Sequence, residues 1–446
     1  MKKFFYQKSF GKDAFSLTLC GKNGILSINI CRSERGKKMK KITKSIALLL
    51  TAALLFCGLS FTVNAEGEIA VYVDGTQVKF DAQPRMIESR TMVPMRAIFE
   101  AIGATVNWNA ETRTASSTFR GTTVSITVGT NILLKNDTEI PLDVPAQVVE
   151  SRTLVPVRAI AESFDCKVEW LGDIRTVRIA TTDFDSFMTE DDKRVHVTVG
   201  SRSFSEAFYS AYTADGSMSE EEILEFFKSL AAYEKYAEEK NYIPSILEYD
   251  ALDGWLKKQL DAGNIAQSPD PKTGMTVYTR REIARDALLT QYVGYFSAFD
   301  YLADMQSLLP YVKANAVRVK HILVNTKEEA DAVAERLKNG EKFEKLVTEL
   351  SLDGMNPETG YIFGDGEMVE EFEKASYALE IGETSEPIQS QFGYHIIRRY
   401  SFDDMKDEEI LSATGERFLS TYCLNMLYKD IAEIAKTLAV TYPQQS

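Results

Sequence analysis

The chain has 446 residues, 44% hydrophobic and 26% charged, a profile of folded domains of about 100–200 residues each rather than long disorder. Its formal charge of −14 hides an asymmetry: residues 1–65 hold 12 Lys/Arg against Asp13 and Glu34, a net of +10, leaving −24 for the remainder. So acidic a body excludes a phosphate-backbone partner, whose recognition needs clustered Lys and Arg, and no nucleic-acid role is expected.

The basic front end reads as a targeting segment. Lys40, Lys41 and Lys44 precede an apolar run from Ile46 to Phe61, and Val63-Asn64-Ala65 offers small residues for cleavage. This layout starts naturally at Met39, so 1–65 is expected to be a leader with a secretory signal and its true start at Met39. An uncleaved anchor is the alternative, though the run is short for a span of about 20 residues. Lipid attachment at Cys57 is disfavoured by the bulky Phe56 before it. The expected location is extracytoplasmic: secreted, or held at the cell surface or membrane. Only Cys166 and Cys423 follow the leader, too few for a disulfide framework.

An internal repeat comes next. Residues 88–108 read ESRTMVPMRAIFEAIGATVNW and 150–170 read ESRTLVPVRAIAESFDCKVEW, with 12 of 21 positions identical at an offset of 62. Pro94 and Pro156 suit the first turn of a short helix, where a missing N–H costs nothing. Ala97, Ile98, Ala101 and Ile102 make an apolar face, Gly103 fits a helix stop, and Val106 and Trp108 alternate as in a half-buried strand. Upstream, Val71-Tyr72-Val73-Asp74-Gly75 reads as a strand entering a hairpin turn. Cys166 stands where the first copy has Ala104, which favours a small core residue over a redox centre. Through both VP-x-R-A-I stretches, residues 67–182 resemble the small α+β module named after the N-terminal domain of copper amine oxidases. Oxidase chemistry does not come with it, because His196, His321 and His395 are the chain's only histidines and none is closely paired in sequence. A stalk or adhesion surface is expected, with cell-wall polymer a candidate ligand.

Residues 183–315 change character. Val195–Gly200 is a short strand signal, followed by Phe204, Phe208 and Tyr212 at helical spacing. Ser219 with Glu222 makes a capping-box start, and Ile223, Phe226, Phe227, Leu230 and Ala237 recur as on an amphipathic helix. Further helices are expected over Ile246–Leu260 and Arg281–Leu309, separated by the turn Ser268–Gly274. At the far end, Leu419, Tyr422, Cys423, Met426, Leu427, Ile431, Ile434 and Leu438 mark one helix over 408–438. It cannot bury its stripe alone, so 403–446 is expected to pack on the helical region as one bundle.

Between them, residues 316–402 hold the candidate chemistry. Val319-Lys320-His321-Ile322-Leu323-Val324 is an alternating strand carrying a histidine, and Gly393-Tyr394-His395-Ile396-Ile397 is another at the domain's far end. Helices are expected over Lys327–Leu337 and Phe343–Leu350, and Met368 and Phe372 stand four apart on one helix face. Either histidine alone reads as a satisfied core residue; both together with that apolar pair point to a shared pocket.

The segment resembles a parvulin-type peptidyl-prolyl cis/trans isomerase, an FKBP-like α+β domain. The matching stretches are HILV at 321–324, GEMV-x-x-F at 366–372, ALEIGE at 378–383 and FGYHII at 392–397. By position, the resemblance implies His321 and His395 as paired histidines of the cleft, Asp353 at a site filled by Cys or Asp, and Ser390 as a nearby hydroxyl. Met368 and Phe372 match the proline-ring pocket, with Phe392 a further candidate wall. No metal or cofactor is implied. The family's GGDLGWF stretch is here the shorter TGYIF (359–363), so that side of the pocket has no assigned residue. With Thr326-Lys327-Glu328-Glu329 directly after the first strand, the basic loop of phosphate-specific relatives has no equivalent.

The order of helical region, isomerase domain and C-terminal helix resembles exported foldases of the SurA and PrsA type. In that likeness, helices flanking the isomerase form a chaperone module for unfolded clients. Tyr209, Tyr212, Tyr233, Tyr292, Tyr295, Phe296 and Phe299 are candidates for a client groove, or for simple core. The expected function is therefore an exported isomerase and chaperone for X–Pro bonds of nascent or unfolded secreted proteins. Two rivals remain: a catalytically weak chaperone that clamps peptides, and a wall-associated surface protein organised by the repeat.

Overall fold

The computed structural model describes residues 10–11, 14–21, 24–31, 68–214, 216–354 and 358–444. The signal reading over 39–65, Cys57 included, lies outside the described residues. The architecture is α+β and multidomain, and among the described residues no helix is long and apolar enough to cross a membrane. The described residues form two compact units, one containing 68–293 with 434–444 and one containing 10–31 with 294–433.

In the first unit the repeat copies interlock. Strand β1 (Arg90–Pro94) leads into helix α1 (Met95–Ala101), and β2 (Arg152–Pro156) into α2 (Val157–Ser163). β1 and β2 pair antiparallel with Val93 opposite Val155, which is its own equivalent in the other copy. The copies therefore meet across a local two-fold axis, and α1 contacts β2 while α2 contacts β1. Val93, Ile98, Phe99, Val155, Ile160 and Ala161 share one core, where Phe99 meets Phe164 edge-on at 5.7 Å. Cys166 is buried in that core beside its counterpart Ala104, and burial pushes its thiol up to about 12.

Helices α3 (Glu220–Lys240) and α4 (Ile246–Asp261) follow, each opening on a reciprocal serine–glutamate capping box, Ser219 with Glu222 and Ser245 with Glu248. Phe204 stacks on Phe227 at 4.3 Å in the core that also takes Leu438 and Val440 from the chain's end. The repeat module seats on α4. Arg178 forms an ion pair with Asp250, whose side chain is 2% exposed, and Asp74 accepts from the Thr181 N–H at 2.8 Å and hydroxyl at 2.6 Å.

The helix expected over 281–309 is in fact two, α5 (Val277–Ala303) and α6 (Met305–Asn315). Apolar periodicity runs through the break, but the Asp304 carboxylate accepts from the Ser307 N–H and starts a new helix. In the second unit, β3 (Val317–Val324) lies inside a four-stranded antiparallel sheet. Helices α7 (Lys327–Lys338) and α8 (Phe343–Leu350) come next, then β4 (Tyr361–Phe363), α9 (Glu370–Ala378), β5 (Ile388–Ser390) and β6 (Gly393–Tyr400). The sheet order is β4-β3-β6-β5.

The helix expected over 408–438 also divides, into α10 (Asp407–Ala413) and α11 (Glu416–Thr437). Thr414 is extended, with ψ 135°, and at Gly415 a Cβ would fall 2.3 Å from Glu367 Oε1. That same oxygen accepts from the Phe418 N–H at 2.9 Å, so a carboxylate from the isomerase-like domain caps α11. Tyr422 and Cys423 of α11 then pack with Ala298, Leu308 and Val312, and the Tyr301 hydroxyl donates to Asp430 at 2.6 Å.

Gly75 has φ +70°, and a Cβ there would lie 2.1 Å from the Ala251 backbone nitrogen of α4. Gly121 has φ +82° with open space around it. Gly121→Ala should therefore cost only the left-handed penalty of about 1–2 kcal/mol. Gly75→Ala adds a clash of about 1–3 kcal/mol, a difference readable in urea denaturation of the full chain; equal losses would contradict the seating of the module on α4.

Candidate active site

The site is assembled on the central strands. Alternation along β3 and β6 puts residues opposite each other on one face, and the register sets His321 against Ile397 and Leu323 against His395. The two histidines are thus diagonal neighbours on the same face, close enough for ring contact. Their rings stack at 5.2 Å and 17°, with Nδ1 to Nδ1 at 3.0 Å, and both are buried, at 5% and 4% exposure.

Asp353 reaches them from the turn after α8. Ser351 Oγ accepts from the Leu323 N–H at 3.1 Å, and the Leu352 N–H donates to the Leu323 carbonyl at 2.8 Å, which pins the turn to β3. Asp353 Oδ2 then lies 2.7 Å from His321 Nε2. At the other end Ser390 Oγ is 2.7 Å from His395 Nε2 and accepts from the Phe392 N–H at 3.1 Å.

These contacts have only one consistent direction. A carboxylate can only accept, so His321 Nε2 carries hydrogen and its Nδ1 is the acceptor. His395 must then donate from Nδ1 and accept at Nε2, where the Ser390 hydroxyl donates. Burial lowers both imidazoles below the usual 6.5: Asp353 partly opposes the shift at His321, and burial together with the charge of His321 takes His395 to about 4. Both rings are therefore neutral near pH 7, the state that this ordering requires.

Apolar walls close the other side. Phe372 of α9 is buried and meets both imidazoles edge-on, at 5.1 Å from His321 and 5.2 Å from His395. Met368 packs half-buried in the same cluster, with Phe363 and Leu379. Met368 is not on the helix face, as its spacing from Phe372 suggested, but in the turn before α9. Glu373 holds that turn by accepting from the N–H groups of Gly366, Glu367 and Met368 at 2.9–3.2 Å. Phe392 departs further from expectation. It is 61% exposed, because the tight β5–β6 turn points its ring to solvent, and it is not packed in the apolar cluster of Phe372 and Met368.

The residue missed from sequence is Tyr361. In the unassigned TGYIF stretch, β4 brings its hydroxyl to 2.7 Å from Asp353 Oδ2 and its ring to 5.7 Å from His321. Burial and the Asp353 carboxylate raise its pKa, so it stays a donor. Asp353 is held by two donors on one oxygen. Among the described residues no group of three or more His, Cys, Asp or Glu is placed to hold a metal ion. What the arrangement offers is an apolar surface, Phe372 with Met368, beside an ordered, uncharged imidazole pair.

Comparison with known proteins identifies two of the domains. Residues 314–401 match the family model of the PPIC-type PPIASE domain, so the chain contains a parvulin-type isomerase domain. Residues 72–179 match the copper amine oxidase N-terminal domain. The chain is 43% identical over 99 residues to the foldase protein PrsA of Bacillus subtilis, covering 21% of this chain and 34% of the relative. It is 31% identical over 152 residues to a parvulin-like PPIase of Rickettsia conorii, covering 32% and 53%. It thus spans from a third to about half of the length of these relatives. Among solved structures, the parvulin of Nitrosopumilus maritimus is 48% identical, covering 20% of this chain and 97% of that one, with a TM-score of 0.18.

Two outcomes follow from the network. Tyr361→Phe removes one donor from a carboxylate and should cost about 1.5 kcal/mol of domain stability by denaturation. It should also let His321 titrate at higher pH in an NMR titration; an unchanged His321 would contradict the shared-oxygen geometry. For pH, the unfolded chain takes up protons near 6.5 while folded His395 resists until about 4, so the unfolded state binds more protons in that window. Stability should therefore fall as pH drops from 6.5 towards 4, with the His395 ring showing no protonation by NMR above about pH 5.

Proposed function

We propose that the chain is an exported peptidyl-prolyl cis/trans isomerase and folding chaperone, acting on X–Pro bonds of secreted proteins. The observation that carries this reading is the neutral His321–His395 pair set against Phe372 and Met368. The apolar surface of Phe372 and Met368 suits a proline ring, and the isomerisation needs no nucleophile, metal or obligatory proton transfer. The barrier is about 18–20 kcal/mol because amide resonance must be broken. Uncatalysed exchange takes roughly 10–100 s, long enough to limit folding.

His321, Asp353, His395 and Ser390 are the proposed polar side of the site, and Met368 and Phe372 its proline-facing side. With Asp353 tied by two hydrogen bonds, covalent attack is a poor use of it; it orders the imidazoles and the pocket's polarity. Favouring a twisted amide by about 4 kcal/mol would give roughly a thousandfold. The domain division 67–182, 183–315, 316–402 and 403–446 is adopted for this reading, with the helices as the chaperone part. Exposed Phe296 and Phe299, edge-on to Tyr295 at 5.2 and 5.0 Å, are the aromatics best placed to meet an unfolded client. The name foldase carried by relatives supports unfolded proteins as partners, and the basic then apolar run at 40–61 supports an extracytoplasmic, surface-associated location with nascent exported clients. Cell-wall polymer is the proposed partner of 67–182, favoured by the exposed Trp108 and Trp170.

A proline-isomer-coupled peptide assay on the full chain tests the reading. Wild type should exceed the spontaneous rate, and His321→Ala, His395→Ala and Met368→Ala should each lose about tenfold or more in kcat/KM, about 1.4 kcal/mol. A wild-type rate equal to the spontaneous one, with client aggregation still suppressed, would leave a peptide-clamping chaperone instead.

A further inference from the structure

The repeat module contains a groove of about 590 Å³, a size suited to a small or extended ligand. Its lining includes Arg90, Asp143, Arg158, Glu162, Ile140 and Trp170. Two features of this wall are not explained by folding. Trp170 is 38% exposed, and its repeat equivalent Trp108 is 44% exposed, so each copy holds a large indole at the surface. The Arg90–Asp143 ion pair, with Nε to Oδ2 at 2.9 Å, recurs at the same repeat positions as Arg152–Asp81 at 2.6 Å. Ion pairs this exposed contribute little to stability, so packing does not demand that both copies have one.

Charge decides the class of ligand. Arg90 is paired with Asp143, Arg158 with Glu162 at 3.8 Å, Lys135 with Asp165 at 2.8 Å, and Glu169 with Arg178 at 3.1 Å. The wall is therefore electrically balanced and sets up no field to draw a polyanion. What it presents is alternating hydrogen-bond donors and acceptors beside a flat apolar indole face. A pyranose ring has the matching surfaces: one apolar face and an edge of hydroxyls.

We propose that this groove binds a neutral glycan strand, with Trp170 as the stacking platform and the Arg90–Asp143 pair as the hydroxyl-reading edge. Trp108 and the Arg152–Asp81 pair stand at the equivalent positions of the other copy, so a polymer of repeating sugars long enough to reach both would gain avidity that a short oligomer lacks. The inference rests on the wall-association reading of 67–182 and names the site and ligand class for it.

The test uses the full chain, with chitohexaose and maltohexaose in calorimetry and insoluble chitin in retention assays. One of the hexasaccharides should bind, Trp170→Ala should weaken it at least tenfold, and Trp108→Ala with Trp170→Ala should lose retention on the polymer. An unchanged melting curve for each variant separates binding from folding. Retention on chitin that survives Trp170→Ala would overturn the groove while leaving wall association in place. No binding by wild type to either sugar or polymer would overturn both. Tighter binding of polyphosphate than of either sugar, or binding of reduced, unfolded α-lactalbumin that Trp170→Ala abolishes, would overturn the glycan assignment in favour of an anion or a peptide.

Discussion

A single carboxylate sets the direction of the whole polar cluster. Asp353 can only accept, and from that follow the tautomer of His321, the tautomer of His395 and the orientation of the Ser390 hydroxyl. Every later property of the site depends on this ordering. Buried imidazoles that could each choose either tautomer would present a fluctuating polarity to a bound peptide. Anchored at one end by a fixed acceptor, they present one arrangement and remain uncharged, which keeps the adjoining apolar surface from being flooded by counter-charge and water.

The apolar side is fixed by carboxylates too, though in a different manner. Glu373, in the first turn of α9, gathers three successive backbone N–H groups and so shapes the turn that carries Met368. Beside it, Glu367 accepts from the Gly364 N–H at 2.7 Å with one oxygen and caps α11 with the other. The loop that carries Met368 is thereby tied to the C-terminal helix, and Arg417 of that helix also donates to the Gly366 carbonyl. Within this unit the loop of Met368 and the helix packed against Ala298 and Leu308 are joined by these contacts.

Much of this was readable from residue order alone. The strands bearing His321 and His395 alternate clearly, and spacing placed Met368 and Phe372 in one neighbourhood. What escaped was contact made by side chains from segments with no periodic pattern. Tyr361 sits in a stretch whose length differs from its relatives, so position could not assign it; only the strand pairing of β4 with β3 brings its hydroxyl to Asp353. The helix breaks at Asp304 and at Thr414–Gly415 escaped for a different reason. Apolar periodicity continues through both, whereas the stop is imposed by a capping carboxylate and a close backbone approach. Phe392, matched by its motif, has its ring directed outward by the turn, a placement that residue order does not reveal.

The pairing of Val93 with Val155 carries a historical implication. A residue that faces its own duplicate across a strand pair would, in an unduplicated ancestor, have faced itself in a second molecule. Each half also sends its helix onto the strand of the other, so neither half completes a hydrophobic interior in isolation. The implied symmetry is that of a homodimer with its two halves joined head to tail in one chain. Joining makes the association of the halves independent of concentration.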